Sequence, residues 1–423
     1  MTDARSYAFL ILAAALAGGC GAKTGLALPD AAMDAGTDAG PDASVPCIEV
    51  PPDGGLIEIP LETETRLGRA DVLFLIDTTA SMQDEIDQIR DKLRDSISAA
   101  IDNEIPDAQL AVATFADFPV PPYGDAEDRA FTMMLPMTDE LSRVQAAVNS
   151  IELANGRDEP ESQVEALFQV ATGDGLGPWV PASFGCPMGG RGYPCFRDDA
   201  LPIVLLFTDA PFHNGPPSAG GAPTNAYMAG DILPPPHTYS EAVEALSRLG
   251  VRVIGFDSGD GGGAPHLRQL ATDTGALDEG GAPLVYDIGR RGEGLGTGVV
   301  DAMKTFADAV VFDVDAIVQD PVPGDGVDVT EFVDAIVPVR AIPMDGIDSI
   351  DVEASAFRGV RSGTTVVFQL RIRNDAVVPG PTARRFQLEI IFRGDGRTRL
   401  GRRIVEIVIP GLDGEGCEED SGL

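Results

Sequence analysis

The stretch "DVLFLIDTTASMQDE", Asp71 to Glu85, joins two unlike patterns. Its first half, "VLFLI", is a continuous apolar run, the mark of a strand covered on both faces. Its second half is dense in oxygen: Asp77, Thr79, Ser81, Asp84 and Glu85 all carry side chains that a hard cation can use. A helical pattern follows, with Ile86, Ile89, Leu93, Ile97 and Ile101 on one face. Strand, polar loop, amphipathic helix is the unit of a parallel sheet, and ligands of such sheets bind beyond the carboxyl ends of the strands.

The same unit recurs along the chain. "QLAVATF", "PIVLLFTD" and "VRVIGFD" read as further buried strands. Leu141, Val144 and Val148, and then Val164, Leu167 and Phe168, have helical spacing. "TYSEAVEALSRLG" carries a capping-box pair, Thr238 and Glu241, with Gly250 as its stop, and "VDAMKTFADAVV" is a last helix. Residues 70–312 are therefore expected to form a doubly wound, mostly parallel α/β domain. Three of its strands end in aspartate: Asp77, Asp209 and Asp257. A capping role is expected for Asp257.

From about residue 313 the period becomes two. "VFQLRIRND" sends Phe368, Leu370 and Ile372 one way, and "RFQLEIIF" does the same with Phe386, Leu388 and Ile390. Residues 313–423 are expected to form an antiparallel β-sandwich that also takes a strand from 47–69. The α/β domain would then be an insertion in the sandwich.

The 423 residues hold 67 acidic and 30 basic side chains, for a net charge of −37. Such a surface repels nucleic acid. The first 19 residues read as a targeting segment: "YAFLILAAALA" is too short to span a membrane as a mature helix, and it ends in "LAGGC". This resembles a bacterial lipoprotein signal with lipidation of Cys20, and Gly21 after the cysteine favours the outer membrane. Attachment to the membrane would be through that lipid only. Residues 20–46, with Asp30, Asp34, Asp38 and Asp42 among Gly, Ala and Pro, read as a solvated tether. Cys47, Cys186, Cys195 and Cys417 remain, an even number that reads as disulfides in an exported chain. Cys186 and Cys195 flank a short loop. Cys47 and Cys417 can pair if the strand near residue 50 joins the sandwich.

Asp77, Thr79 and Ser81 alternate in a loop at a helix N-terminus, with Asp209 on a neighbouring strand end, a pattern suited to a hard divalent ion. Here the chain resembles the von Willebrand factor type A domain, and within it the integrin beta-subunit I-like domain. "DTTASMQDE", "FADFPVPPY", "GRDEPESQVEALFQV" and "VLLFTDAPFH" resemble that family's motifs in the same order. The resemblance implies a central Mg2+ or Mn2+ site formed by Asp77, Thr79, Ser81, Glu161 and Asp209. It implies an adjacent Ca2+ site from Ser81, Asp84 and Glu85, and a synergistic Ca2+ site from Asp117, Asp158, Pro160 and Glu161. Glu85 stands in place of Asp, and Gly156 in place of an Asn ligand. His213 is read as a loop histidine, and the insertion near 171–200, with Trp179, as surface elaboration. The function implied is adhesion or ligand binding in the cell envelope, with the metal receiving an Asp or Glu carboxylate of a protein partner. The alternatives are a structural envelope protein with fold-stabilising metals and a metal-dependent hydrolase; the latter lacks a nearby D-x-D motif, a basic phosphate clamp or a histidine pair.

Overall fold

The structure is a computed structural model. It describes residues 46–417, apart from 188, 260, 261, 325, 376, 413 and 415. The expected targeting segment, Cys20 and almost all of the expected tether lie outside the described residues.

The chain enters through two strands, β1 (Cys47–Glu49) and β2 (Ile57–Glu64). The α/β layer then runs β3 (Arg69–Asp77), α1 (Gln83–Lys92), α2 (Ser98–Glu104), β4 (Asp107–Phe115), β5 (Thr132–Thr138), α3 (Leu141–Asn149) and α4 (Gln163–Thr172). It continues with β6 (Leu201–Thr208), a small hairpin of β7 (Gly215–Pro217) and β8 (Pro223–Thr224), α5 (Tyr239–Leu249), β9 (Arg252–Asp257), α6 (Ala264–Thr274), β10 (Val285–Asp287) and α7 (Leu295–Ala309). The strands line up as β10-β9-β6-β3-β4-β5, all parallel except β5. β3 sits in the interior of the sheet, which explains its unbroken apolar run: every residue from Ala70 to Asp77 is buried.

Helices α1 and α2 are not one continuous helix. A π turn, Leu93–Ile97, joins them. Their apolar positions step by three and then by four, four and four, and each step of four drifts about 40° around an α-helix. A wider turn takes up that drift. All five apolar positions from Ile86 to Ile101 are consequently buried. At α5, Thr238 and Glu241 form a reciprocal capping box, and Gly250 ends the helix at φ 76°.

After α7 come β11 (Val311–Gln319), β12 (Val333–Ile342), β13 (Ser349–Asp351), β14 (Ala356–Arg361), β15 (Thr365–Ile372), β16 (Arg384–Gly394) and β17 (Thr398–Ile409). They form a six-stranded sheet, β1-β17-β16-β11-β14-β13, and a three-stranded one, β12-β15-β2. The two share a core: the Phe368 ring of β15 lies 5.0 Å from Phe357 of β14 and 5.9 Å from Phe392 of β16. The six-stranded sheet is not purely antiparallel, because β1 runs parallel to β17. The entering chain and the last strand lie side by side there, and Cys47 is bonded to Cys417 across 370 residues. Cys186 and Cys195 form the second disulfide.

Within the α/β layer Arg197, on the segment before β6, donates to Asp71 at 2.7 Å and to Asp107 at 2.6 Å. The same acidic cluster fastens the layer to the C-terminal sheets. Arg399 of β17 reaches Asp107 at 3.5 Å and donates its backbone N–H to the Asp199 carbonyl at 2.8 Å. Among the described residues no helix is long and apolar enough to cross a membrane.

Candidate metal centre

Asp77 is the last residue of β3 and is fully buried. Its Oδ1 accepts from the Thr79 N–H at 3.0 Å and from the Thr79 hydroxyl at 2.7 Å. Its Oδ2 accepts from the Thr208 hydroxyl at 2.7 Å, and that hydroxyl accepts in turn from Gln163 Nε2 at 3.0 Å. Burial, reinforced by the charge on Asp209, lifts the Asp77 carboxyl to about 7. The Thr79 and Ser81 hydroxyls lie 3.3 Å apart, and Ser81 is exposed. Two hydroxyls thus stand between a buried carboxylate and solvent.

Three loops close around this strand end. Ala154 N donates to the Thr78 carbonyl at 2.8 Å, drawing the 150–156 segment against the loop after β3. Glu161 N donates to Pro211 O at 3.0 Å and His213 N to Glu161 O at 2.8 Å, so the segment before α4 is laced to the loop after β6. Glu161 is buried, and its Oε2 has no hydrogen-bond partner. Burial first, then the charges of Asp77, Asp117, Asp158 and Asp128, push its carboxyl up to about 12. Gly156, at φ 63°, lies against it: a Cβ there would meet Glu161 Oε1 at 2.8 Å and Thr79 Cγ2 at 3.3 Å. A side chain at 156 would press on the end of the Glu161 side chain, which would have to shift. Asn155 does not take the place of the family's Asn; its side chain is exposed, and its N–H donates to Asp128 Oδ1 at 3.0 Å.

Asp128 is a residue that the sequence did not single out. It is fully buried and also accepts from the N–H groups of Asp125 at 2.7 Å and Gly156 at 3.1 Å, clamping the 125–128 and 155–156 loops together. Only the convergence of loops distant in sequence exposes this role.

The residues of the adjacent site diverge in exposure. Asp84 is exposed, 3.8 Å from Arg291 Nε, whereas Glu85 is buried with Oε2 unpartnered. Burial lifts Glu85 to about 7, opposed by hydrogen bonds from its own backbone and from Ser258 and aided by Asp209 and Asp84. Both acids occupy the first turn of α1, where the helix dipole favours negative charge. Asp257 ends β9 with Oδ1 unpartnered, and burial lifts it to about 6.

Asp117 and Asp158 do come together, and His213 joins them: one ligand atom from each lies within 4.8 Å of the others. His213 is a loop histidine, in a turn between β6 and β7, but it is buried beside the two carboxylates. The β7–β8 hairpin folds the chain back so that Asn225 O meets His213 Nδ1 at 2.6 Å, and the ring is buried. Pro160 is half-buried between Asp158 and Glu161. The 171–200 insertion also reaches the site. Trp179 packs edge-on against Phe118, the neighbour of Asp117, at 6.2 Å, and donates to Leu233 O at 3.1 Å. It braces the Asp117 loop from behind.

The buried donor set fits a cation. Asp77, Asp117 and Glu161 are within a few per cent of complete burial, mutually repelling, and in two cases retain a lone oxygen without a donor. A bound positive charge would reverse the upward shifts.

Residues 71–173 match the family model of the von Willebrand factor A domain. Over those residues the chain is similar to the von Willebrand factor A domain. The match covers β3 with its oxygen-rich loop and continues to the end of α4. No curated protein matches the chain. Solved structures similar to it include a von Willebrand factor type A protein from Catenulispora acidiphila, 12% identical, with a TM-score of 0.37, covering 86% of this chain and 72% of that one. The pilus adhesin SpaC from Lactobacillus rhamnosus GG, in its open conformation, is 10% identical at a TM-score of 0.34, covering 88% of this chain and 46% of that one. Proximal thread matrix protein 1 from the mussel byssus is 13% identical at a TM-score of 0.32, covering 58% of this chain and 48% of that one. This chain thus spans about half the length of the last two. Likenesses of this size carry no argument about function.

Proposed function

We propose that this chain is a cell-envelope lipoprotein of the integrin beta I-like type, and that it binds a protein partner through a divalent cation at the Asp77 loop. The von Willebrand factor A domain would be carried on a β-sandwich and tethered through Cys20 to the outer membrane. Mg2+ or Mn2+ would be held by Asp77, Thr79, Ser81, Glu161 and Asp209, and Ca2+ by Ser81, Asp84 and Glu85. When bound, the cation supplies an electrophile for an Asp or Glu carboxylate of the partner. The chain's own residues do the rest. Asp77 and Glu161 supply charge from below, Thr79 and Ser81 present neutral oxygens at the rim, and the Trp179 insertion stiffens the wall. The protein acts as a binding module rather than an enzyme.

The observation that carries this reading is the pairing of exposed Ser81 with buried Thr79, their hydroxyls 3.3 Å apart, beside an Asp77–Glu161 pair buried without a counter-charge. Calorimetric titration of Mg2+ and Mn2+ into the chelated protein, wild type against Asp209→Ala, tests it. Saturable binding that the variant loses supports the site, and equal binding by both overturns it. Retention of envelope proteins that survives excess EDTA would overturn the metal-bridged partner. If the variant lowers the melting temperature alone, the structural reading holds instead.

A further inference from the structure

We propose that Asp117, Asp158 and His213 form a mixed nitrogen–oxygen site for a transition metal of the Zn2+ class, beside the all-oxygen Asp77 site and in place of the Ca2+ site that the family resemblance implies for Asp117, Asp158, Pro160 and Glu161. The inference rests on the reading of this acidic cluster as cation-binding, but on neither the Asp77 ion nor any partner.

The histidine is fixed in the tautomer a metal requires. Nδ1 lies 2.6 Å from the Asn225 carbonyl, which can only accept, so Nδ1 carries the proton. In the neutral ring Nε2 then presents its lone pair, 3.1 Å from Asp158 Oδ2 and 3.3 Å from Asp117 Oδ2. Three acceptors facing one another repel, and a cation among them removes the repulsion. A backbone carbonyl on the far nitrogen is also the usual support of a metal-bound histidine.

The carboxylates are prepared in the same way. Asp117 Oδ1 is already taken by the Tyr227 hydroxyl and the Phe118 N–H, both at 2.6 Å. Its Oδ2 is fully buried, has no hydrogen-bond donor, and faces His213. Asp158 Oδ1 is likewise unpartnered. The ring is clamped by Tyr227, stacked at 4.0 Å, and by Tyr123, edge-on at 5.3 Å. Asp158 keeps about a third of its side-chain surface exposed and gives a path in from solvent.

Donor type selects the ion. Imidazole nitrogen with carboxylate oxygen suits Zn2+ and its first-row neighbours, whereas Ca2+ and Mg2+ take oxygen sets. Three side chains leave coordination positions open for water or a further oxygen.

The test is a Co2+ titration of the chelated full-length protein, read by visible d–d absorption, with Zn2+, Ca2+ and Mg2+ as competitors. A nitrogen-ligated Co2+ spectrum is expected that Zn2+ displaces and excess Ca2+ does not. His213→Gln should abolish it. Tyr227→Phe removes only the hydroxyl on Asp117 and should weaken the site about 10–100-fold. Asp77→Ala should leave the spectrum in place while removing Mg2+ binding, so loss of one without the other separates this inference from the proposed function. Absence of Co2+ binding, an all-oxygen spectrum, or a spectrum unchanged in His213→Gln would overturn the proposal in favour of a simple His213 ion pair.

Discussion

The Thr208 hydroxyl donates to Asp77 Oδ2 at 2.7 Å from the neighbouring strand. Both residues are fully buried, so this bond fixes a carboxylate that water cannot reach. Thr208→Val keeps the shape and removes the donor. Leaving a buried acceptor unsatisfied costs about 1–3 kcal/mol. Chemical denaturation of the chelated variant should show that loss. With Mg2+ present the loss should shrink, because the freed oxygen gains a cation.

Gly156 gives a second expectation. Gly156→Ala meets both an unfavourable φ of 63° and the Glu161 carboxylate. Gly185, at φ 82° with nothing within 4 Å of an added Cβ, isolates the backbone effect. Strain of this kind costs about 1–2 kcal/mol. Gly185→Ala should lose that amount and keep its Mg2+ affinity. Gly156→Ala should lose more and bind Mg2+ more weakly, as read by calorimetry.

The raised carboxyls set the direction of the pH response. Asp77 and Glu85 are lifted to about 7 and Glu161 to about 12, so the folded, chelated protein holds protons that the unfolded chain has released. Stability then falls as pH rises, because the unfolded state binds fewer protons. The fall begins above the ordinary carboxylate range. It continues through pH 7 for Asp77 and Glu85 and beyond it for Glu161. Melting temperatures in EDTA should drop between pH 5 and pH 8. With Mg2+ and Ca2+ the drop should flatten, since the metals hold the same groups ionised. A chelated protein that gains stability over that range would contradict this account.

The α/β layer was legible because its signals are local. A run such as Val72–Ile76 reads as a strand covered on both faces, and Asp77, Thr79 and Ser81 lie close in sequence. The parts that escaped depend on distant loops. His213 is held by the Asn225 carbonyl, which the β7–β8 hairpin brings back, and no periodicity announces a three-residue strand. Asp128 matters because loops 125 and 155 meet on it. The π turn of Leu93–Ile97 was written in the spacing of apolar residues, yet a string of fours reads as one helix until its drift is counted.

The two disulfides should differ sharply in what their loss does. Cys47 and Cys417 close a loop across 370 residues, and Cys186 and Cys195 one across 9. The chain-entropy relation gives about 6 kcal/mol for the first and about 3 kcal/mol for the second. β1 is an edge strand of three residues, so once released it can leave the sheet while β17 stays paired with β16. Local opening of that kind lowers the measured cost below the full figure. Cys47→Ser with Cys417→Ser should therefore lose about 2–5 kcal/mol in denaturant. Hydrogen exchange should then rise at the backbone of Ile48 to Val50 first. Cys186→Ser with Cys195→Ser should lose less and leave the exchange of β17 unchanged.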